Sequence, residues 1–155
     1  MKAERISLFL LRIYVGYLFL SAGWQKWSAD PPFTDGLALL NFLKKCLADV
    51  PSGSITAALI HTYFMPYSHA LSWMVVLGEI AVGSALLSGT ATRLACVFGI
   101  IMNINFLIVT GGTFTTFDNN AFFILIQFAL LCTAAGRFMG IDYLLSKKFP
   151  GSYLW

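Results

Sequence analysis

Residues Leu71–Gly89 read LSWMVVLGEIAVGSALLSG, a run long and apolar enough to cross a bilayer, with one carboxylate, Glu79, near its middle. A spanning helix needs about 20 mostly apolar residues. A charge at its centre costs about 3 kcal/mol even on the gentler insertion scales, so such a residue is expected to face a partner or a cavity.

The rest of the chain supports a membrane reading. Of 155 residues, 58% are hydrophobic and only 11% charged, and the mean hydropathy is +0.77. Soluble domains run nearer half apolar and a quarter charged. The net charge of +3 is modest, and the ten Lys and Arg residues form no basic run, so no nucleic-acid partner is expected. Cys46, Cys96 and Cys132 lie far apart with no CxxC between them. Cys96 and Cys132 read as small buried hydrophobes, with Cys46 open as a lone thiol.

Three further apolar runs complete an all-α reading. The N-terminus begins like a signal peptide, but its apolar run is long, carries Arg12 and ends in Trp24–Gln25–Lys26–Trp27, an aromatic and basic interfacial anchor. It is therefore expected to be retained as a first span. The expected spans are 6–24, 70–87, 94–110 and 119–136, with Phe117 to Asn120 at the interface before the last. They form an antiparallel four-helix bundle within a single domain, residues 1–155.

The long connection, 28–69, holds two amphipathic pieces, GLALLNFLKKCLADV and SITAALIHTYFM, too short to span. They are expected to lie at the interface or cap the bundle, packing against the spans rather than acting as a lid. Lys2, Arg5, Arg93, Arg137, Lys147 and Lys148 fall on one side of this topology, and Lys26, Lys44 and Lys45 on the other. The positive-inside rule then puts both termini in the cytoplasm and the long loop outside.

Counted from the cytoplasmic ends of the spans, Arg12, Glu79, Asn103 and Gln127 fall within about 5 Å of one level at a rise of roughly 1.5 Å per residue. Each expected span contributes one polar side chain to this layer. Arg12 is the natural partner for Glu79, because an Arg–carboxylate pair is bidentate and cancels both charges. Arg12 shares a helix face with Gly16, Phe19, Gly23 and Lys26, whose glycines permit close approach of another helix, and Ala81 and Ala85 are expected to do the same beside Glu79. The layer reads either as a lock on helix pairing or as a polar pocket or proton relay. A second cluster, Trp24, Lys26, Asp118 and Asn119, lies at the expected outer face, where Lys26 and Asp118 could meet. It reads either as an interfacial anchor with an Asp helix cap or as a site for an anion or a quinone head group.

The face of Arg12, Gly16, Phe19, Gly23 and Lys26, then GEIAVGSALLSGTATR, DNN and AAGRFMGID, resembles the DoxX/DoxD family from Leu10 to Leu145. The resemblance implies a small four-helix protein of the bacterial or archaeal cytoplasmic membrane. It also implies a subunit of a thiosulfate:quinone oxidoreductase, which oxidises thiosulfate to tetrathionate and passes electrons to quinone. The residues themselves carry no flavin fingerprint, no CxxC and no haem or iron–sulfur ligand spacing. No metal site and no tightly bound cofactor are therefore expected, quinone is the one candidate, and redox chemistry is expected to need partner subunits. The alternative is a non-catalytic accessory subunit packed against a larger respiratory or photosynthetic membrane complex.

Overall fold

The computed structural model describes residues 3–112, 118–149 and 152, and these are helical throughout, with no strand among them. Helix α1 spans Ala3–Trp27, α2 Leu37–Asp49, α3 Ile55–Leu59, α4 Ser68–Ser88, α5 Thr92–Val109, α6 Asn119–Cys132 and α7 Ile141–Lys148. By length and composition, α1, α4 and α5 can each cross a membrane, whereas α6 is apolar but shorter. The sequence stopped the fourth span at 136. The helix ends instead at Cys132, because Ala134 turns left-handed at φ 46° and a 3-10 turn, Ala135–Arg137, follows. Phe117 lies outside the described residues.

The α1–α4 contact is the most extensive in the molecule, and glycines make it close. A Cβ on Gly83 would strike the backbone of Leu20, and one on Gly16 would stand 2.9 Å from Leu87 N. One on Gly23 would lie 3.0 Å from both Glu79 Cβ and Ile80 N. In lipid, helices gain nothing from hiding apolar surface from one another, so this backbone approach and its dispersion contacts hold the pair. The antiparallel register that results sets Gly23 beside Glu79 and Gly16 beside Leu87. It is Gly83 that meets α1. Ala81 and Ala85, expected there from the sequence, line a groove facing α5.

Helix α5 packs on α4 and, more extensively, on α6. Val15, Val82, Leu86, Cys96 and Leu130 are buried together at the heart of this assembly. The amphipathic pieces of the connection fold as helices: α2, and α3 prolonged by a π-helical turn, Ile60–Phe64. Their apolar faces bury Leu39, Leu43, Cys46 and Ile60 against Val109 and Leu71, capping the N-terminal end of α4 and the C-terminal end of α5. Both sides of the amphipathic pattern are thus used: Lys44 and Lys45 stay on the surface while the apolar stripe is covered.

At the opposite end, α7 packs on the start of α5 through Asp142. Its carboxylate accepts from Ala91 N at 2.6 Å and Thr92 N at 2.9 Å, capping α5 from 50 residues away in sequence. An anion at a helix N-terminus meets unpaired N–H groups and the positive end of the dipole. Cys46 and Cys96 are buried as expected of small hydrophobes, but Cys132, expected to be buried, is exposed at the end of α6.

Candidate functional site

Glu79 does have a partner, and it is Lys26. Lys26 Nζ donates to Glu79 Oε1 at 2.6 Å and Oε2 at 2.7 Å. The reason lies one turn earlier on α1, where Gly23 offers no side chain and lets the helices close until Lys26 folds back onto the carboxylate. The lysine sits in the last turn of α1, where the helix dipole favours a cation. Phe33, from the 3-10 turn Phe33–Asp35, stands 5.9 Å from Nζ on its far side. Trp27 and Trp73 meet edge to face nearby, with ring centroids 5.8 Å apart.

Arg12 is elsewhere. It lies roughly three helical turns back along α1, about 16 Å from the Gly23 level, and is fully buried. Its Nη1 donates to Ala135 O at 2.9 Å and Phe138 O at 3.2 Å, and its Nη2 to Met139 O at 3.0 Å. These carbonyls belong to the 3-10 turn and the residues just after it, and Ala135 O also accepts from Phe138 N. The expected Arg12–Glu79 pair fails because the close α1–α4 register sets Gly16 beside Leu87, so that the first turns of α1 project past α4 and Arg12 lies beside Gly89. Of the four residues expected in one layer, Arg12 instead clamps the α6–α7 turn, which includes Met139 at φ 49°.

The other three are arranged around α5. Asn103 Nδ2 donates to Gln127 Oε1 at 3.2 Å and to Gly99 O at 2.9 Å. Gln127 is fully buried, and its Nε2 has no hydrogen-bond partner. A Cβ on Gly99 would collide with that amide, so glycine is what admits Gln127 between α5 and α6. Asn103 joins Lys26 and Glu79 in lining a cavity of about 250 Å³, with Asn120, Phe19 and Phe123 among its walls. Phe19 and Phe123 stack edge to face at 6.1 Å. Two clusters that the sequence held apart thus contribute to one site: Lys26 from the outer group, Glu79 and Asn103 from the layer.

The remaining outer residues have other roles. Asp118 caps α6, accepting from Asn120 N at 2.7 Å and Asn120 Nδ2 at 2.9 Å, while Lys26 is engaged by Glu79. Trp24 and Asn119 are exposed on their helices, away from the cavity walls. Asn120, one residue on, turns inward instead of Asn119. The sequence signal for this site was present in the glycines: setting Gly16 against Gly83 places Gly23 beside Glu79 and Lys26 one turn beyond it, within reach of the carboxylate. Among the described residues, no three of His, Cys, Asp and Glu gather in a way that could hold a metal ion.

A family model described as "TQO small subunit DoxD" matches residues 7–154. The chain belongs to the DoxD family. TQO denotes thiosulfate:quinone oxidoreductase, and the family is that of a small membrane subunit of such complexes. No curated protein and no solved structure gives a significant match. The DoxD fold described above is therefore read from this chain's own packing.

Proposed function

We propose that this DoxD chain is the quinone-side membrane subunit of a thiosulfate:quinone oxidoreductase, with the Lys26–Glu79 cavity receiving the quinone head group. The observation that carries the reading is a bidentate ion pair lining a small cavity between apolar helices, with an amide on each of two further helices and aromatic rings for walls. A quinone ring is flat and apolar, with two carbonyl acceptors. Phe19 and Phe123 suit its faces, and Lys26 Nζ, which gives hydrogen bonds to both oxygens of Glu79, can redirect one to a carbonyl.

Reduction of one quinone takes two electrons and two protons, the electrons coming from two thiosulfate ions that join as tetrathionate on a partner subunit. In this reading Lys26 stabilises charge developing on the carbonyl oxygen. Glu79 relays protons as the quinol forms, and Asn103 orients the ring. Helix α6 is the fourth span of an antiparallel four-helix bundle, residues 1–155 form one domain, the α2–α3 connection lies outside, and both termini lie in the cytoplasm. The spread of basic residues supports this orientation.

Thiosulfate-dependent quinone reduction in intact membranes tests the assignment. Lys26→Ala and Glu79→Gln are each expected to lower the rate by about a hundredfold, as loss of a general acid–base group does. Unchanged rates in both would remove the cavity from the reaction. The exposed apolar faces of α1 and α6, carrying Tyr14, Tyr17, Leu125 and Phe128, favour a second reading as an accessory subunit buried in a larger assembly. In that case both variants would retain activity while assembly mutants on those faces lost it.

A further inference from the structure

A second and larger opening runs along the outside of the α4–α5 pair. It is a groove of about 780 Å³, from Ala91 and Leu94 at one end to Leu39 and Phe42 at the other. The α5 residues that line it, Leu94 to Val109, cover about 22 Å of helix at roughly 1.5 Å per residue. Gly78, Ala81 and Ala85 are the small residues of its α4 wall, beside Met74, Val75 and Val82, and exposed Leu77, Phe98 and Ile101 make an open, apolar rim. Among the described residues, Asn105 is the one polar side chain lining it, and its amide nitrogen donates to Ile101 O at 2.8 Å. With a single exposed amide among otherwise apolar walls, the groove suits an occupant that is apolar along nearly its whole length.

What identifies the occupant is that the groove and the Lys26–Glu79 cavity share two walls, Met102 and Phe106. Met102 reaches across to Gly78, where a Cβ would stand 3.0 Å from its sulfur and 3.2 Å from its terminal methyl. The thioether thus fills the space the glycine leaves, and an unbranched, flexible methionine can swing aside. A polar, ring-sized chamber therefore opens through a movable partition onto a long apolar slot. We infer that the two form one bipartite site, in which a prenylated quinone places its head beside Lys26 and lays its isoprenoid chain in the α4–α5 groove. This rests on the quinone reading of the cavity and adds the tail's path and its gate. A phospholipid fits the slot less well, because its charged head would meet no cation along the groove walls.

Photolabelling of the full chain in phosphatidylcholine nanodiscs tests this, using two prenylated quinone probes, one with a diazirine on the ring and one with a diazirine midway along the tail. The ring probe should label the cavity walls. The tail probe should label Ala81, Ala85 and Phe98, and excess unlabelled prenylated quinone should suppress both severalfold. Ala81→Phe, which fills the slot, should reduce competable tail labelling severalfold more than ring labelling. Ala81→Leu serves the same purpose should the larger residue disturb folding, with helicity checked by circular dichroism. Ring labelling of the cavity together with tail adducts scattered over the lipid-facing sides of α1 and α6 would overturn the groove and leave the cavity reading intact. Absence of competable ring labelling would overturn both. Groove labelling by a diazirine phospholipid that quinone does not displace would make the slot a lipid site and overturn the inference.

Discussion

Lys26 Nζ holds both oxygens of Glu79, at 2.6 and 2.7 Å, one turn beyond the point where Gly23 lets α1 close on α4. The pair is what allows a carboxylate to sit within a membrane-spanning helix, since each charge removes the other's need for water. Removing one partner leaves the other charged among apolar helices. Lys26→Met or Glu79→Met alone is expected to destabilise the protein by about 3 kcal/mol, and the Lys26→Met/Glu79→Met pair by far less. A double-mutant cycle from denaturant unfolding in detergent micelles measures the coupling. An additive outcome would show that the pair does not form.

Arg12 is expected to matter for stability and not for chemistry. Its three hydrogen bonds hold the turn that brings Asp142 to the start of α5. Arg12→Ala gives up hydrogen bonds to three carbonyls, that of Ala135 buried, and should cost about 3 kcal/mol, given that a hydrogen bond to a charged group is worth about 1.5–3 kcal/mol. Arg12→Lys should recover only part, because an ammonium cannot reproduce the planar fork. Thermal unfolding of both variants checks the order. An Arg12→Lys protein as stable as the wild type would contradict it.

Glycines on α4 should differ in sensitivity. A Cβ at Gly83 meets the backbone of Leu20, which cannot move without separating two helices, whereas one at Gly78 meets the flexible end of Met102. Gly83→Ala is expected to cost about 2 kcal/mol by overpacking, and Gly78→Ala clearly less. Comparing the two unfolding midpoints tests the register of the α1–α4 pair. Equal losses would argue against it.

Cys46, on α2, carries a pH prediction. Burial beneath the connection raises its thiol pKa, and Asp49 adds to the shift. Only the thiolate is nucleophilic, so a raised pKa lowers the reactive fraction near pH 8. Alkylation of Cys46 by iodoacetamide should therefore be slow there and keep accelerating as pH rises past the ordinary thiol range. A rate that levels off near pH 8.5 would mean that the apolar face of α2 is not packed against Ile60 and Val109.

Much of this was legible in the sequence, because length and apolarity alone decide which segments can span. The two amphipathic pieces also folded as expected, since their period was helical and their charges lay on one side. The polar residues were found as well, for a buried Glu, Asn or Gln stands out in an apolar run. Their pairing was not legible from depth, which depends on where each helix starts. The glycine-driven register alone set Arg12 beyond the end of α4 and brought Lys26 to Glu79. Helix α7 was missed because Asp142 acts through a contact 50 residues distant in sequence, for which no local pattern exists. Nor does a helix start reveal which of the adjacent amides Asn119 and Asn120 turns inward.

The most direct test of the central claim is the infrared carbonyl band of a carbon-13-labelled short-tailed quinone bound to the protein in nanodiscs. A hydrogen bond from Lys26 lowers the frequency of that band. The wild type is predicted to show a downshifted carbonyl that disappears in the Lys26→Met/Glu79→Met variant. A band at the lipid-dissolved position in the wild type, or a downshift that survives in the variant, would contradict a quinone head group at Lys26.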